Sequence, residues 1–412
     1  MTYKHSILIF DVPDRRSIPV AGSIGNQFDI HFLVPIRKGF KILPFVQVAL
    51  KLFKPRNTKS LQFAQFSNEQ DLFSELLMYL EKYKIDVVLA FSERSTAVLC
   101  ENKNKLNQLT SVPYGSFSDF NTLNDKYTVL KVCKKVKVPT PKFIGVEKIE
   151  DLPNVEKLGF PIVLKCCLAS GVKEAFRICR STNELRKGYI ELTSRESSYS
   201  YFKCDRLVAE GFVEGPIFDC GFAVNKGEVI SAVAQERLWT IPPEGGFGAY
   251  NITRDIPELV EYGRKIFREI SWTGPAQLEF IFDQKDKAYK LIEINPRFWG
   301  TLGLSIKAGV NIAEDVIQIG LRNMNLEERI SASAGVTFEW LLQETLTAEK
   351  MRGSKGNLIF SHIKRIFGRE VNNFSYSIGA NILLSIPHLA AYFSCPNKPH
   401  SSSISLAKKL FE

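Results

Sequence analysis

The chain has 412 residues, of which 45% are hydrophobic and 24% are charged, a balance typical of globular domains rather than of disordered or fibrous chains. This length allows two or three domains with a large buried core. The net charge of +10 suits an anionic partner such as a nucleotide or an acidic substrate, but no zinc-finger, RNP-like or basic-aromatic pattern indicates a nucleic-acid partner.

The cysteines and the N-terminus indicate a reducing compartment. The eight cysteines include one adjacent pair, Cys166-Cys167, and no C-x-x-C spacing, and none of the five histidines lies near a cysteine in a metal spacing. A zinc site is therefore not expected. Most cysteines lie in apolar segments, so we expect buried, reduced thiols. Because the first residues lack the apolar core of a signal peptide, we expect a cytoplasmic protein.

Residues 1–120 alternate strand and helix patterns. Strands are expected at 6–10, 28–34 and 85–91, and helices at 15–24 and 72–83. Such alternation predicts a parallel sheet with right-handed connections. The first strand ends in Asp11-Val-Pro-Asp-Arg15 rather than in a glycine-rich fingerprint, which disfavours a Rossmann cofactor site. Ligands of open α/β sheets bind at the carboxyl ends of strands, so Asp11, Arg15 and Arg16 are candidates for holding a substrate. A solvated helix start is the alternative.

The segment from 274 to 300 contains the strongest functional pattern. Two alternating stretches, 277–282 and 291–295, flank the polar turn 283–287 and predict a β-hairpin that brings Glu279 beside Glu293. Glu293, Asn295 and Arg297 occupy every second position, so their side chains point the same way. Oxygen ligands beside a planar guanidinium suit a Mg²⁺-bound polyphosphate. The convergence of four such groups makes a solvated strand edge the poorer interpretation.

This hairpin resembles the metal site of the ATP-grasp superfamily, particularly its carboxylate–amine ligase branch, where a Glu strand is followed by an E-I-N-P-R strand. The resemblance extends from about residue 125 to residue 313. It implies that Glu279, Glu293 and Asn295 bind Mg²⁺, or Mn²⁺ in its place. It also implies that Arg297 and Arg237 are catalytic and stabilise the transferring phosphoryl group and the oxyanion.

Further segments resemble the nucleotide site of the same family, in the expected order. Asp125-Lys126 opens a helix, 160–165 is an apolar strand ending in a lysine, and 208–215 resembles the hinge that lines the adenine pocket. Two departures stand out. The loop after Lys165 has one glycine where the family has a Gly/Ser-rich run, and Ile217 occupies the position of the ribose carboxylate, with Asp219 as a substitute. The residues implied to bind ATP are Lys126, Lys165, Ser170, Gly171, Lys173, Glu210, Phe212, Val213 and Asp219.

The implied fold is α/β, with α+β character in the nucleotide domain: an ATP-grasp fold that follows an N-terminal βαβ pre-ATP-grasp domain. The expected domains are a pre-ATP-grasp domain at 1–120, a small ATP-binding lid at 121–205, a large catalytic subdomain at 206–325 and a helical C-terminal extension at 326–412. The apolar stretch 378–393 is shorter than a bilayer span. We expect it to pack on the catalytic domain or on a second subunit, with peripheral contact to an anionic membrane as the alternative.

The resemblance implies an ADP-forming ligase that activates a small carboxylate, such as an amino acid, as an acyl phosphate for attack by an amine. One alternative is ligation to a thiol or hydroxyl, because the sequence does not identify the acceptor. The other is a regulatory nucleotide-binding module without turnover. The single-glycine loop and the missing ribose carboxylate favour that module, whereas the complete hairpin set opposes it. A homo-oligomer is left open.

Overall fold

The structure, a computed structural model, describes residues 4–11, 16–38, 57–168, 175–194, 204, 206–241, 246–322, 329, 332–339 and 371–372. Within these ranges the chain forms a parallel sheet of four strands, an antiparallel sheet of four strands and a largely antiparallel sheet of seven strands.

The first sheet belongs to the N-terminal domain. Its elements are β1 (Ser6–Ile9), α1 (Ser17–Ile24), β2 (Asp29–Arg37), β3 (Thr58–Phe66), α2 (Glu69–Lys82), β4 (Val87–Leu89), α3 (Glu93–Glu101) and α4 (Lys103–Leu106). The strand order is β3-β2-β1-β4 and every pair is parallel, so the predicted parallel sheet is confirmed. Both faces are covered, as parallel sheets require, and Ile7, Leu8 and Ile9 are fully buried. The edge strand β3, a polar-rich segment, was not predicted.

The second sheet forms the small subdomain, referred to below as the lid. Its elements and the helices leading to it are α5 (Phe117–Asn124), α6 (Lys126–Lys135), β5 (Phe143–Val146), α7 (Leu152–Val155), β6 (Ile162–Cys166), β7 (Phe176–Cys179), α8 (Thr182–Thr193) and β8 (Leu207–Gly211). The order is β5-β8-β6-β7. The lid has a hydrophobic core of its own, and a unit with a separate core can move as one body.

The third sheet is the largest. Its elements are β9 (Ile217–Asn225), β10 (Glu228–Ile241), β11 (Phe247–Arg254), α9 (Pro257–Ile270), β12 (Gly274–Asp283), β13 (Ala288–Asn295), α10 (Leu302–Lys307), α11 (Ile312–Gly320), β14 (Thr337–Glu339) and β15 (Val371–Asn372). The order is β13-β12-β9-β10-β11-β14-β15. Two hydrophobic cores extend from this sheet into the N-terminal domain, so these two parts share their interior.

Most of the helical extension expected at 326–412 lies outside the described residues. The described part (329, 332–339 and 371–372) includes strands, because β14 pairs with the edge of β11 and β15 pairs with β14. An edge strand presents unpaired backbone groups, which a following segment satisfies by adding to the sheet. The apolar stretch 378–393 lies outside the described residues. Within the described ranges, no helix has the length and apolar character needed to cross a membrane.

The cysteines only partly follow the expectation of reduced thiols. Cys166 and Cys204 form a disulfide with a Cα–Cα separation of 5.3 Å. Pairing of β6 with β8 places Cys166 opposite Leu207, and so brings the chain just before β8 close to Cys166. The remaining described cysteines are free and buried, as expected: Cys100, Cys133, Cys167, Cys179 and Cys220.

Candidate active site

Three carboxylates lie side by side on neighbouring strands of the large sheet. Glu279 on β12 is in register with Glu293 on β13 and with Asp219 on β9. The predicted neighbourhood of Glu279 and Glu293 is therefore confirmed, and Asp219 joins them as a third member. Directly opposed like charges destabilise a sheet, so this carboxylate row (Asp219, Glu279, Glu293) requires cations close by.

Arg237 neutralises one end of the row. Its Nε donates to Asp219 Oδ2 at 2.8 Å, and its Nη2 lies 2.6 Å from Glu279 Oε2. Nη1 donates to the Gly246 carbonyl at 3.1 Å. Burial lowers the pKa of Arg237, but the charges of Asp219 and Glu279 outweigh it and raise the pKa above its ordinary value. The donors of Arg237 are thus engaged by the protein itself.

Polar side chains extend this arrangement into the sheet. Gln235 donates to Asp219 Oδ2 at 2.8 Å, and its carbonyl oxygen accepts from the Thr301 hydroxyl at 2.9 Å. Asp219 is therefore held by Arg237 and Gln235, at a central strand rather than at the hinge exit. The ribose role suggested for Asp219 remains a prediction.

Two lysines approach the row from the lid side. Asp125 caps helix α6 by accepting from the Thr128 amide at 2.7 Å, and Lys126, the first residue of that helix, lies 2.9 Å from Glu293. Lys165, on β6, lies 2.9 Å from Glu210 and donates to the Ile292 carbonyl at 3.4 Å. Both predicted nucleotide lysines thus meet the large sheet where β13 carries Glu293.

The neighbours of the row shift two of its pKa values in opposite directions. Burial is the main cause that raises the pKa of Glu279, and Arg237 only partly offsets it. Burial also acts to raise the pKa of Glu293, but Lys126, Lys165 and Arg297 together outweigh it and lower the pKa. Glu293 is therefore the more firmly ionised of the two.

Glu210 lies at the end of β8, next to the hinge. Its side chain is 2% exposed, and burial raises its pKa although Lys165 opposes the shift. Oε2 contacts Lys165, whereas the buried Oε1 has no hydrogen-bond partner among the residues that the structure describes. The Phe212 amide donates to the Pro161 carbonyl at 3.1 Å, so this N–H is not free to contact a ligand. Val213 follows at the same hinge.

Asn295 and Arg297 connect the row to the N-terminal domain. Asn295 Nδ2 donates to Glu279 Oε1 at 2.9 Å, and its Oδ1 accepts from Arg297 Nη2 at 3.0 Å. Strand β13 ends at Asn295, so Arg297 stands in the following turn and not on the strand as predicted. Its Nε lies 3.9 Å from Glu93 of helix α3.

Close packing fixes the turn that contains Arg297. Gly221 on β9 leaves room for Trp299, because a Cβ at this glycine would lie 2.0 Å from the indole ring. Phe298 stacks on Phe91 with ring centroids 4.6 Å apart. The turn is therefore held between the large sheet and the N-terminal domain.

Asp11 and Arg16, the described candidates for substrate binding at the end of β1, make hydrogen bonds within the protein. Asp11 accepts from the amides of Phe91 and Ser92, and Arg16 donates to the Phe91 carbonyl at 2.8 Å. They thus support the segment that opens helix α3. Arg15 and the predicted phosphate-loop residues Ser170, Gly171 and Lys173 lie outside the described residues.

The oxygen donors predicted to bind Mg²⁺ lie side by side, because Glu279 is in register with Glu293 and accepts from Asn295. In the described part of the chain, no group of three or more His, Cys, Asp or Glu side chains is arranged to hold a metal. The predicted set has two carboxylates and one amide, and Mg²⁺ needs few protein ligands because water and phosphate complete its shell. Glu279 and Glu293 adjoin each other, and Arg237 and Lys126 form ion pairs with them. Metal binding at these atoms would therefore require an exchange of partners.

Sequence reasoning missed Glu93, Gln235 and Thr301. Glu93 had a usable signal, because Ser92-Glu93 opens a helix directly after the strand predicted at 85–91, at the sheet edge where ligands bind. Gln235 and Thr301 had no local signal, since their contacts depend on the pairing of distant segments.

The sequence of the chain is similar to a known family model and to known ligases. Residues 207–344 match the family model described as ATP-grasp in the biosynthetic pathway with Ter operon. The chain is 24% identical over 261 residues to the D-aspartate ligase of Enterococcus faecium, covering 58% of this chain and 60% of that protein. It is 27% identical over 169 residues to the L-arginine-specific L-amino acid ligase of Bacillus subtilis, covering 37% of this chain and 39% of that protein.

A solved structure gives the same architecture over a longer range. N5-carboxyaminoimidazole synthetase from Staphylococcus aureus, complexed with ADP, matches with a TM-score of 0.62 and 16% identity, over 85% of this chain and 87% of that one. The chain thus has the fold of ATP-grasp proteins. Its sequence is similar to an ATP-grasp family model and to amino-acid ligases. It spans no more than 60% of the curated relatives it matches.

Proposed function

We propose that the protein is an ATP- and Mg²⁺-dependent ligase that joins a small carboxylate, such as an amino acid, to an amine and releases ADP and phosphate. The observation that supports this most directly is the meeting of cations and carboxylates between the lid and the large sheet. Lys126, Lys165 and Arg237 each lie within 2.9 Å of a carboxylate that the site itself provides. Each of these cations would exchange its carboxylate partner for a phosphate oxygen when nucleotide binds.

The nucleotide would lie between β8 and the large sheet. Lys126 and Lys165 place two ammonium groups where a triphosphate would need neutralisation. Glu210 Oε1, buried and without a described partner, is an acceptor for the exocyclic amine of adenine. Because the Phe212 amide is engaged, recognition of the adenine edge would fall to the Phe212 carbonyl and to Val213.

The chemistry follows from the charges in the site. A carboxylate oxygen of the substrate attacks the γ-phosphorus, the bond to the β–γ bridging oxygen breaks, and ADP leaves with that electron pair. The amine nitrogen then attacks the acyl carbon, the carbon–oxygen bond breaks, phosphate leaves, and the nitrogen loses a proton. Mg²⁺ held by Glu279, Glu293 and Asn295 would supply charge neutralisation on the phosphates. Positioning and electrostatics account for most catalysis of phosphoryl transfer.

The two arginines would stabilise charge at the reacting centre. Arg297 is bound through Nη1 and Nη2 to Phe298 and Asn295, which leaves Nε directed toward the N-terminal domain. Arg237 would need to break its ion pair with Glu279 before it could contact an acyl phosphate. Its ion pair with Asp219 would be retained. Thiol and hydroxyl acceptors remain alternatives to the amine.

ADP release by the purified protein tests this proposal. We expect Mg²⁺-dependent ADP release when the protein is given one amino acid, or a pair of amino acids, from a library. When hydroxylamine is present, we expect the acyl phosphate to be trapped as a hydroxamate. Arg297→Lys should lower turnover severely, because an ammonium cannot reproduce a planar two-pronged contact. Arg254→Lys, at an exposed ion pair with Glu236, is the matched control and should turn over normally. Nucleotide binding without ADP release for any acid would instead support a regulatory module.

A further inference from the structure

The disulfide adjoins both lysines of the candidate nucleotide site. Cys166 ends β6 directly after Lys165, and its sulfur is bonded to that of Cys204. The amide of Lys126 donates to the carbonyl of Cys167 at 3.0 Å. The backbone on the two sides of Cys166 is thus joined to each of the two lysines expected to contact phosphate.

Arg206 links the other end of the disulfide to the same place. It follows Cys204 by two residues, and its carbonyl accepts from the Cys167 amide at 3.0 Å. Its guanidinium forms an ion pair with Asp125, which is the N-cap of the helix that begins at Lys126. Arg206 therefore supports the helix start that carries Lys126, and the nearby disulfide anchors the chain at Cys204 to β6.

A disulfide is an element with two covalent states, and a switch requires such an element. The sequence predicts a reducing compartment, where disulfides are usually transient and serve catalytic or redox-sensing roles. Formation and loss of this bond would change the support of two phosphate-binding residues at once. The other described cysteines are free and buried: Cys100, Cys133, Cys167, Cys179 and Cys220.

We propose that the Cys166–Cys204 disulfide is a thiol-sensitive switch that sets the affinity of the lid for the phosphates of ATP. This inference rests on the nucleotide-binding part of the proposed function and adds regulation to that site. With the bond formed, the chain at Cys204 is fixed and Arg206 is held at Asp125. With the bond reduced, that restraint is lost next to Lys165, so both lysines are less well positioned and ATP binds more weakly.

The switch is operated by exchange with a dithiol reductant. A thiolate of the reductant attacks the sulfur of Cys204, which is 5% exposed whereas Cys166 is fully buried. The disulfide bond breaks, Cys166 leaves with the electron pair and takes a proton, and a mixed disulfide remains. The second thiolate of the reductant then displaces Cys204, which is protonated in turn, and the reductant leaves as a cyclic disulfide. Two electrons have passed to the protein, and the oxidised dithiol restores the bond by the reverse steps.

The alternative is a disulfide that only stabilises the folded lid. A structural disulfide would change the unfolding free energy and leave the ratio of ATP affinity to AMP affinity as it was. The switch predicts a change of that ratio, because AMP occupies the adenine pocket but lacks the phosphates expected at Lys126 and Lys165. Coupling is also reciprocal, so bound ATP must favour the disulfide by the same factor by which the disulfide favours ATP.

The experiment measures the binding of ATP and AMP to the full-length protein in both redox states. Calorimetry with Mg²⁺ is carried out after oxidation with diamide and after reduction with dithiothreitol, and free thiols are counted in each state. Cys204→Ser removes the disulfide. Cys179→Ser, which replaces a free cysteine of the same lid core, is the matched control. Reduced wild type provides the comparison without a substitution if Cys204→Ser does not fold. The thiol equilibrium of wild type in graded dithiothreitol buffers, with and without ATP, measures the reciprocal effect.

We expect oxidised wild type and oxidised Cys179→Ser to bind ATP at least roughly fivefold more tightly than their reduced forms, at the lower end of typical couplings, with AMP affinity nearly unchanged. Cys204→Ser should match reduced wild type in both buffers, and ATP should favour the disulfide of wild type by the same factor. Equal ATP affinity in the two states, equal losses for ATP and AMP, or no disulfide after oxidation would overturn the switch and leave the proposed function standing.

Two further outcomes separate the switch from the ligase activity. Wild type that binds ATP in neither state would overturn both proposals. ATP affinity that follows the redox state, without ADP release for any acid, would support the switch and reject the ligase activity.

Discussion

Glu293→Gln should change nucleotide binding in opposite directions depending on the metal. Glu293 Oε1 lies 2.9 Å from Lys126 Nζ. Nucleotide must draw Lys126 away from this carboxylate before the ammonium can contact phosphate. Glu293→Gln keeps the shape of the side chain and removes its charge. It should therefore free Lys126 for phosphate, and it should also remove one anionic ligand of Mg²⁺.

The magnitude follows from the geometry of the pair. Two unit charges at 2.9 Å attract each other by roughly 6 kcal/mol at an effective dielectric constant of about 20. Glu293 is 35% exposed, and solvent screening and side-chain ordering reduce the net value of such a pair to about 1 kcal/mol. The loss of this competition should tighten metal-free ATP binding by about fivefold.

Calorimetry with ATP, first in EDTA and then in Mg²⁺, measures both effects. In EDTA the variant should bind ATP more tightly than wild type. In Mg²⁺ the variant should bind ATP more weakly than wild type, and its ADP release, assayed separately, should fall at least roughly a hundredfold, because an anionic metal ligand is missing. Glu269→Gln, at an exposed pair with Lys135, should match wild type in both conditions. Weaker binding by Glu293→Gln in EDTA would refute the partner exchange, and normal Mg²⁺-dependent turnover would refute the metal assignment.

Three further predictions concern the lid and the hinge. Lys165→Ala should weaken the binding of ATP more than that of AMP, since the ammonium would contact phosphates that AMP lacks, and equal losses in calorimetry would contradict this placement. Burial raises the pKa of Glu210, so ionisation of this group costs stability as pH rises through its folded-state pKa. The unfolding free energy of Glu210→Gln relative to wild type should therefore rise with pH between the ordinary carboxyl pKa and the raised folded-state pKa. Denaturant titrations at several pH values measure this, and a flat difference would argue against a buried carboxylate. Replacing Cys166 and Cys204 by serine should destabilise the lid by up to about 4 kcal/mol, the chain-entropy value for their separation of 38 residues. Equal denaturant stability of the two proteins would contradict the disulfide.

Several parts of this molecule could be predicted from the sequence because short-range patterns determine them. The strands at 277–282 and 291–295 alternate and flank a polar turn, and a hairpin between adjacent strands fixes its own register. The hairpin brings Glu279 and Glu293 into the same neighbourhood, and a register shift between Glu279 and Phe280 sets the two directly opposite each other. The resemblance placed the start of a helix at Asp125-Lys126, and the structure has Asp125 as the N-cap of α6, where Asp is favoured, with Lys126 as the first residue of the helix. The order of strands and helices in the first domain likewise predicted a parallel sheet.

Other parts were decided only by tertiary structure. Asp219 joins the carboxylate row because β9 pairs with β12, although about fifty residues of chain separate the two strands. The residues of either strand alone do not determine the register of this pairing. Glu93 meets Arg297 because the cores of the N-terminal domain and the large sheet are shared, and Cys166 meets Cys204 because β6 pairs with β8. The described C-terminal segments became strands, against expectation, because an open sheet edge was available to them. Contacts of this kind depend on the long-range packing of hydrophobic surfaces, whose partners a local pattern does not identify.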